Sequence, residues 1–192
     1  MTTALRIGLL GGSFNPAHEG HLHVSLEALK RLRLDCVWWL VSPQNPLKPK
    51  EGMADYEARM ESAMLVTQGQ RRIRVSDFEN RHGLHYTHAT LRELHRRYPN
   101  IQFIWLMGAD NLADFHRWQH WRSIIKQTPV AIFDRAPFSH KALRKKAAIA
   151  LRQKRLQASQ AALLAKSPGH WMYILMRRHK ASSTAIRQET KR

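Results

Sequence analysis

Cysteine is almost missing: Cys36 is the single one in 192 residues. That excludes an intrachain disulfide and any multi-cysteine metal site. Long hydrophobic runs are missing as well. The apolar stretch around Val37–Val41 falls far short of the ~18 residues a membrane span needs. The first residues hold one arginine in a short apolar stretch that runs straight into Gly11-Gly12, so no secretory leader is expected. These shortages point to a cytoplasmic chain with no membrane partner. Acidic residues are scarce near the end. Residues 135–192 hold one, Glu189, against 15 Lys and Arg, whereas residues 1–134 hold 13 acids against 17 Lys and Arg. Most of the net +18 therefore sits in the last third. Such a balance selects polyanionic partners: nucleic acid, a membrane surface or phosphorylated substrates. What is present is a globular composition, 43% hydrophobic and 24% charged, which excludes disorder. The length suits one domain over 1–192.

Leu5–Leu10, Cys36–Val41, Ile73–Val75, Ile101–Met107, Val130–Phe133 and Trp171–Leu175 read as short buried strands. Leu22, Leu26, Leu29 and Leu32 recur at helical spacing, which predicts a helix over 20–33. Further helices are expected over 55–68 behind an Asp55 N-cap, over 87–98 before Pro99, over 118–127 and over 183–189. Ser42–Ala54, with Pro43, Pro46 and Pro49, is a loop. Residues 140–166 read as one long basic helix. Strands alternating with helices predict an α/β fold with a mostly parallel sheet.

Parallel α/β sheets bind ligands at the carboxyl ends of their strands. After the first strand comes GGSFNPAHEGHLHVS. Gly11-Gly12 is expected to take dihedrals closed to other residues and to let a ligand approach the backbone. His18 and His21, three apart at a helix start, can face the same side. A helix N-terminus favours an anion, and two imidazoles there donate to phosphate oxygens without a permanent charge.

This string resembles the (T/H)xGH signature of the nucleotidyltransferase superfamily, with His18-Glu19-Gly20-His21 as HxGH. SSTAIR, Ser182–Arg187, is similar to the ISSTxIR motif of the same superfamily, with Ala181 where Ile is usual. Within the superfamily the chain resembles the bacterial nicotinate-nucleotide adenylyltransferases. Asn45-Pro46-Leu47-Lys48 is similar to their NPxK loop, Tyr86-Thr87 with Thr90-Leu91 to their YTxxTL segment, and Gly108-Ala109-Asp110 with Trp118 to their GAD…W segment. The resemblance implies a Rossmann-like, doubly wound single domain. It implies adenylyl transfer from ATP to nicotinate mononucleotide, giving deamido-NAD and pyrophosphate, with Mg2+ carried by the ATP phosphates and no metal ligand among the protein side chains.

In those roles the backbone of Gly11, Gly12, Ser13 and Phe14 lines the junction of the two substrates. His18 and His21 hold ATP phosphates, and Lys48 reaches phosphate from its loop. Ser183, Thr184 and Arg187 form a second anion cradle. Asp110, beside Gly108, accepts the ribose hydroxyls of adenosine. Asn45 and the Thr87 backbone serve the nicotinate nucleotide, and Trp118 stacks on its cationic ring, with Trp121 as the competing stacker.

Other readings stay open at this point. Phosphopantetheine, nicotinamide mononucleotide or a cytidylyl-transfer acceptor would use the same first motif. His82, His85 and His88, three apart, form a possible metal set, although Gly83 argues for a loop. A basic nucleic-acid-binding protein is a different class. No nucleic-acid module surrounds the basic stretch, and no aromatic residue lies between Phe138 and Trp171. The oligomeric state is open.

Overall fold

The computed structural model describes residues 4–44, 51–134, 139–177, 179, 181 and 183–189. Among these residues, seven strands form one sheet: β1 (Arg6–Gly12), β2 (Cys36–Val41), β3 (Ile73–Ser76), β4 (Gln102–Gly108), β5 (Val130–Phe133), β6 (Arg155–Leu156) and β7 (Trp171–Ile174). Their order is β3-β2-β1-β4-β5-β7-β6, and every pairing is parallel. The helices are α1 (Glu19–Arg31), α2 (Tyr56–Val66), α3 (Phe78–Arg81), α4 (Thr87–Arg97), α5 (Ala109–Asp114), α6 (Trp121–Gln127), α7 (Ser139–Ala142), α8 (Lys146–Ala150) and α9 (Ser183–Glu189).

Side chains alternate across a strand, so each strand feeds two cores. Leu9, Phe103, Trp105 and Ile132 pack on one face with Leu91 of α4 and Leu112 of α5. Leu10, Trp39, Ile104 and Phe133 pack on the other with Ala28 of α1 and Ala63 of α2. Both faces are thus covered, the doubly wound arrangement expected. Strands buried on both sides explain the unbroken apolar runs in CVWWLV and VAIF.

The chain winds from β1 outward to β2 and β3, then returns through α4 to place β4 on the other side of β1. The winding direction reverses between β1 and β4, and a crevice opens there at the carboxyl ends. Three readings need correction. β1 continues through Gly11-Gly12 in extended form, and neither glycine has a positive φ. Gly11 is required by proximity instead: a Cβ there would lie 2.4 Å from the Trp105 ring. The left-handed residue of this segment is Phe14, at φ 47°.

The helix expected over 118–127 begins later, at Trp121. The segment after Gly108 winds directly into α5 and a 3₁₀ turn at Phe115–Arg117, so Trp118 precedes α6 rather than belonging to it. The long basic helix over 140–166 is not formed. That stretch breaks into α7, α8, 3₁₀ turns at Arg152–Lys154 and Ala158–Lys166, and the two-residue strand β6. Eight cations without an acid give such a helix no stabilising i,i+4 ion pair. Edge pairing of Arg155 and Leu156 with Trp171 and Met172, and burial of Ala147, Ala148, Leu164 and Ala165, outweigh helix propensity. Among the described residues no helix is long and apolar enough to cross a membrane.

Candidate active site

A cavity of about 600 Å³ opens at the β1–β4 reversal. Its floor is Gly11, Gly12 and Gly108, where the strands end and backbone is bare. α1, α4 and α9 direct their first residues at it.

His18 is the N-cap of α1, and its Nδ1 accepts the Gly20 amide at 3.0 Å. The Nδ1 of His21 accepts the His18 amide at 3.2 Å. In each neutral ring the proton therefore sits on Nε2, leaving that atom as the donor. The two rings lie 3.9 Å apart, centroid to centroid. His21 lines the cavity, whereas His18 is 4% exposed and stands behind it. Phe14 stacks on Trp39 at 4.9 Å and leans on His21 at the same distance, a second ring contact for the imidazole.

The two ends of the sequence meet here. A Cβ on Gly20 would lie 2.8 Å from the His18 ring and 3.0 Å from the Ala181 carbonyl oxygen. Glycine at this position is what lets the C-terminal segment close against α1. Ser183, Thr184 and Arg187 line the cavity. The Ser183 hydroxyl donates to the Pro16 carbonyl at 3.0 Å, and the Arg187 guanidinium donates to the Asn15 carbonyl. Both side chains thereby tie α9 to the loop leading into HxGH.

Across the cavity stand Asp110, in the first turn of α5, and Thr87, the first residue of α4. Trp118 lines this end too, wedged edge-on against Trp105 at 6.3 Å and Phe115 at 5.3 Å. Trp121 is 8% exposed beneath the Arg122 guanidinium and does not line the cavity, which removes it as the stacker. Asn45, Lys48 and Ser182 lie outside the described residues.

A cytidylyltransferase-like family model matches residues 9–189. A protein of Parvibaculum lavamentivorans named probable nicotinate-nucleotide adenylyltransferase is 53% identical over 85% of this chain and 81% of its own length. One of the same name from Gluconobacter oxydans is 44% identical over 96% of this chain and 94% of its own. The chain belongs to the nicotinate-nucleotide adenylyltransferase family. Among solved structures, the nicotinic acid mononucleotide adenylyltransferase of Plasmodium falciparum, complexed with NaAD, superposes with a TM-score of 0.72 at 17% identity. It covers 96% of this chain and 83% of its own, a likeness of fold.

This adenylyltransferase chain carries site groups that sequence reasoning missed. Glu79, in α3, lines the cavity although it is 5% exposed. Its carboxylate accepts the Thr90 hydroxyl at 2.8 Å and the Ser42 hydroxyl. Burial outweighs both donors and pushes its pKa up to about 7. Asp134, just past β5, also lines the cavity and accepts the Tyr173 hydroxyl at 2.8 Å. In sequence Glu79 sits in Asp77–Arg81, whose one apolar residue is Phe78, and Asp134 follows an apolar run as an ordinary loop acid; neither spacing signals burial. His82, His85 and His88 diverge. His82 bonds the Phe78 carbonyl, His85 lines the cavity, and His88 packs against His120 at 4.6 Å.

Proposed function

We propose that this chain transfers the adenylyl group of ATP to nicotinate mononucleotide, releasing deamido-NAD and pyrophosphate. The observation that supports the reading is one cavity lined by two chemically distinct sets of residues. His21 from near the start of the sequence and Ser183, Thr184 and Arg187 from near its end are four side chains able to donate to phosphate oxygens. The half-buried Trp118 and Thr87, the first residue of α4, line the same cavity. The curated relatives carry the name of this activity.

The acceptor phosphate attacks the α-phosphorus of ATP in line. A new O–P bond forms, the bond to the β-phosphate oxygen breaks, and pyrophosphate leaves with its electron pair. No group on the protein becomes covalently attached, so the protein contributes position and charge. The Nε2–H of His21 is set to donate to phosphate oxygens as charge develops on them. Arg187 and Lys48 supply fixed cations, with Ser183 and Thr184 as neutral donors. His18, expected from the motif to share the phosphates, stands behind the cavity and instead holds His21 through the contact of the two rings. The backbone at Gly11–Phe14 lets the two substrates come together over bare strand ends. Asp110 accepts ribose hydroxyls. Trp118 offers a ring face to the pyridinium, backbone N–H groups at Thr87 receive the nicotinate carboxylate, and Asn45 serves the same nucleotide.

Among the described residues no three His, Cys, Asp or Glu side chains gather to hold an ion. Magnesium would be carried by the ATP phosphates, whose oxygens are the ligands it prefers, and would neutralise part of their charge. A cytoplasmic setting fits a chain whose one cysteine is free. The test is isotopic: with α-labelled ATP and nicotinate mononucleotide, the label must appear in the dinucleotide and none in pyrophosphate.

A further inference from the structure

Arg59, the fourth residue of α2, is 2% exposed. Its Nη1 donates to the Ser13 and Ser42 carbonyls, each at 2.7 Å. Its Nη2 donates to the Pro43 carbonyl at 3.0 Å and its Nε to the Ala54 carbonyl at 3.1 Å. All four acceptors are neutral backbone oxygens. Among the described residues Arg59 forms no ion pair. The Tyr56 ring lies under its charge, 5.3 Å away.

An arginine buried without a carboxylate carries a desolvation penalty that its four bonds only partly offset. The geometry says what that penalty secures. The peptide joining Ser13 to Phe14 is trans, so its carbonyl and its N–H point to opposite sides. Arg59 takes the carbonyl on the α2 side and does not itself line the cavity, whereas Ser13 and Phe14 do. The Phe14 N–H is thereby turned toward the cavity. Phe14 is also left-handed, at φ 47°, a conformation that side chains disfavour and that needs its surroundings to hold it. The Ser13 hydroxyl is buried and has no partner among the described residues, so the turn offers a second donor. The same guanidinium binds the chain just past β2, which leads into the loop carrying Lys48.

We propose that Arg59 is a positioning residue for adenylyl transfer. It clamps the turns after β1 and β2 at one point, keeps the Phe14 amide aimed at the phosphates, and sets an unneutralised positive charge behind that amide. The inference rests on the adenylyl-transfer reading, and the wild-type chain must show that activity first. Failure there refutes the reaction, whatever the variants do.

The experiment uses Arg59→Lys and Arg59→Ala in the full chain. Lysine keeps the charge, but one ammonium cannot span four carbonyls on three segments. The folded Lys variant, checked by circular dichroism and a cooperative melt, should lose about 10²-fold in kcat, the size expected when an oriented donor is lost. Its KM for nicotinate mononucleotide should rise far less than kcat falls, because Arg59 reaches the acceptor only indirectly, through the chain that leads from Pro43 to Asn45. A second cavity of about 470 Å³ borders Arg59 and shares Asn15 and Arg187 with the first, so a small guanidine can enter the space left by Arg59→Ala. Ethylguanidinium should then restore at least about tenfold of the lost kcat, and ethylammonium, of equal charge, should not. Wild-type kcat in Arg59→Lys overturns the proposal. Equal rescue by both cations, or a raised acceptor KM with kcat unchanged, does the same. A chain that folds with neither lysine nor alanine also overturns it, in favour of a purely structural role.

Discussion

Replacing Glu79 by glutamine should change how stability depends on pH. Glu79 is a buried carboxyl whose pKa stands at about 7 rather than 4.5, because burial penalises its charge more than the Thr90 and Ser42 hydroxyls favour it. The native state therefore binds this proton more tightly than the unfolded state. Between pH 4.5 and about 7 the unfolded chain gives the proton up while the folded chain keeps it, so stability falls as pH rises through that window. Below the window both states are protonated and the penalty vanishes; above it the full penalty stands. At about 1.4 kcal/mol per pH unit, the displacement is worth about 3 kcal/mol. Glutamine keeps the shape and one acceptor oxygen but cannot ionise. The difference in unfolding free energy, Glu79→Gln minus wild type, should therefore grow in favour of glutamine by up to about 3 kcal/mol from pH 5 to pH 8. Urea denaturation of both proteins at half-unit pH steps measures it, and other titrating groups cancel in the difference. Parallel profiles would refute the reasoning.

His21→Ala removes the cavity-facing imidazole and should lower kcat by about 10²-fold or more with the melting temperature little changed; steady-state rates and thermal denaturation check both halves. Trp118→Ala should raise KM for nicotinate mononucleotide by roughly tenfold, the size of a desolvated cation–π contact. Trp121→Ala should instead cost stability on the order of 3–5 kcal/mol as a core truncation, read by urea denaturation. Arg187→Ala should raise KM for ATP and slow transfer, while Lys154→Glu, on the exposed 3₁₀ turn far along the basic stretch, should leave both constants near wild type.

Strands buried on both faces were the most legible part of the sequence. CVWWLV and VAIF become strands with the bounds expected, since nothing polar interrupts them. HxGH and SSTAIR were legible as motifs, but their meeting was not. It depends on the missing Cβ of Gly20 and on the Ala181 carbonyl, which no local pattern announces. The basic stretch misled because Ala, Leu, Lys and Arg are good helix formers, and pairing of Arg155-Leu156 onto β7 is a tertiary event. Glu79 and Arg59 escaped notice for a shared reason. Each is buried chiefly by segments distant in sequence, Glu79 under Thr90 and Ser42, Arg59 among carbonyls of 13, 42 and 43.

Acceptor choice tests the central claim most directly. In the proposed reading, backbone N–H groups at the start of α4 would satisfy both oxygens of a nicotinate carboxylate. An amide replaces one oxygen with a donor and leaves an N–H unmatched, a loss of about 2–4 kcal/mol, or roughly 30–1,000-fold in specificity. The measurement is kcat/KM for pyrophosphate release from ATP with nicotinate mononucleotide, nicotinamide mononucleotide and phosphopantetheine in turn. The account predicts that nicotinate mononucleotide exceeds the amide by at least about 30-fold and that phosphopantetheine is inert. Equal use of acid and amide, or turnover of phosphopantetheine, would contradict it.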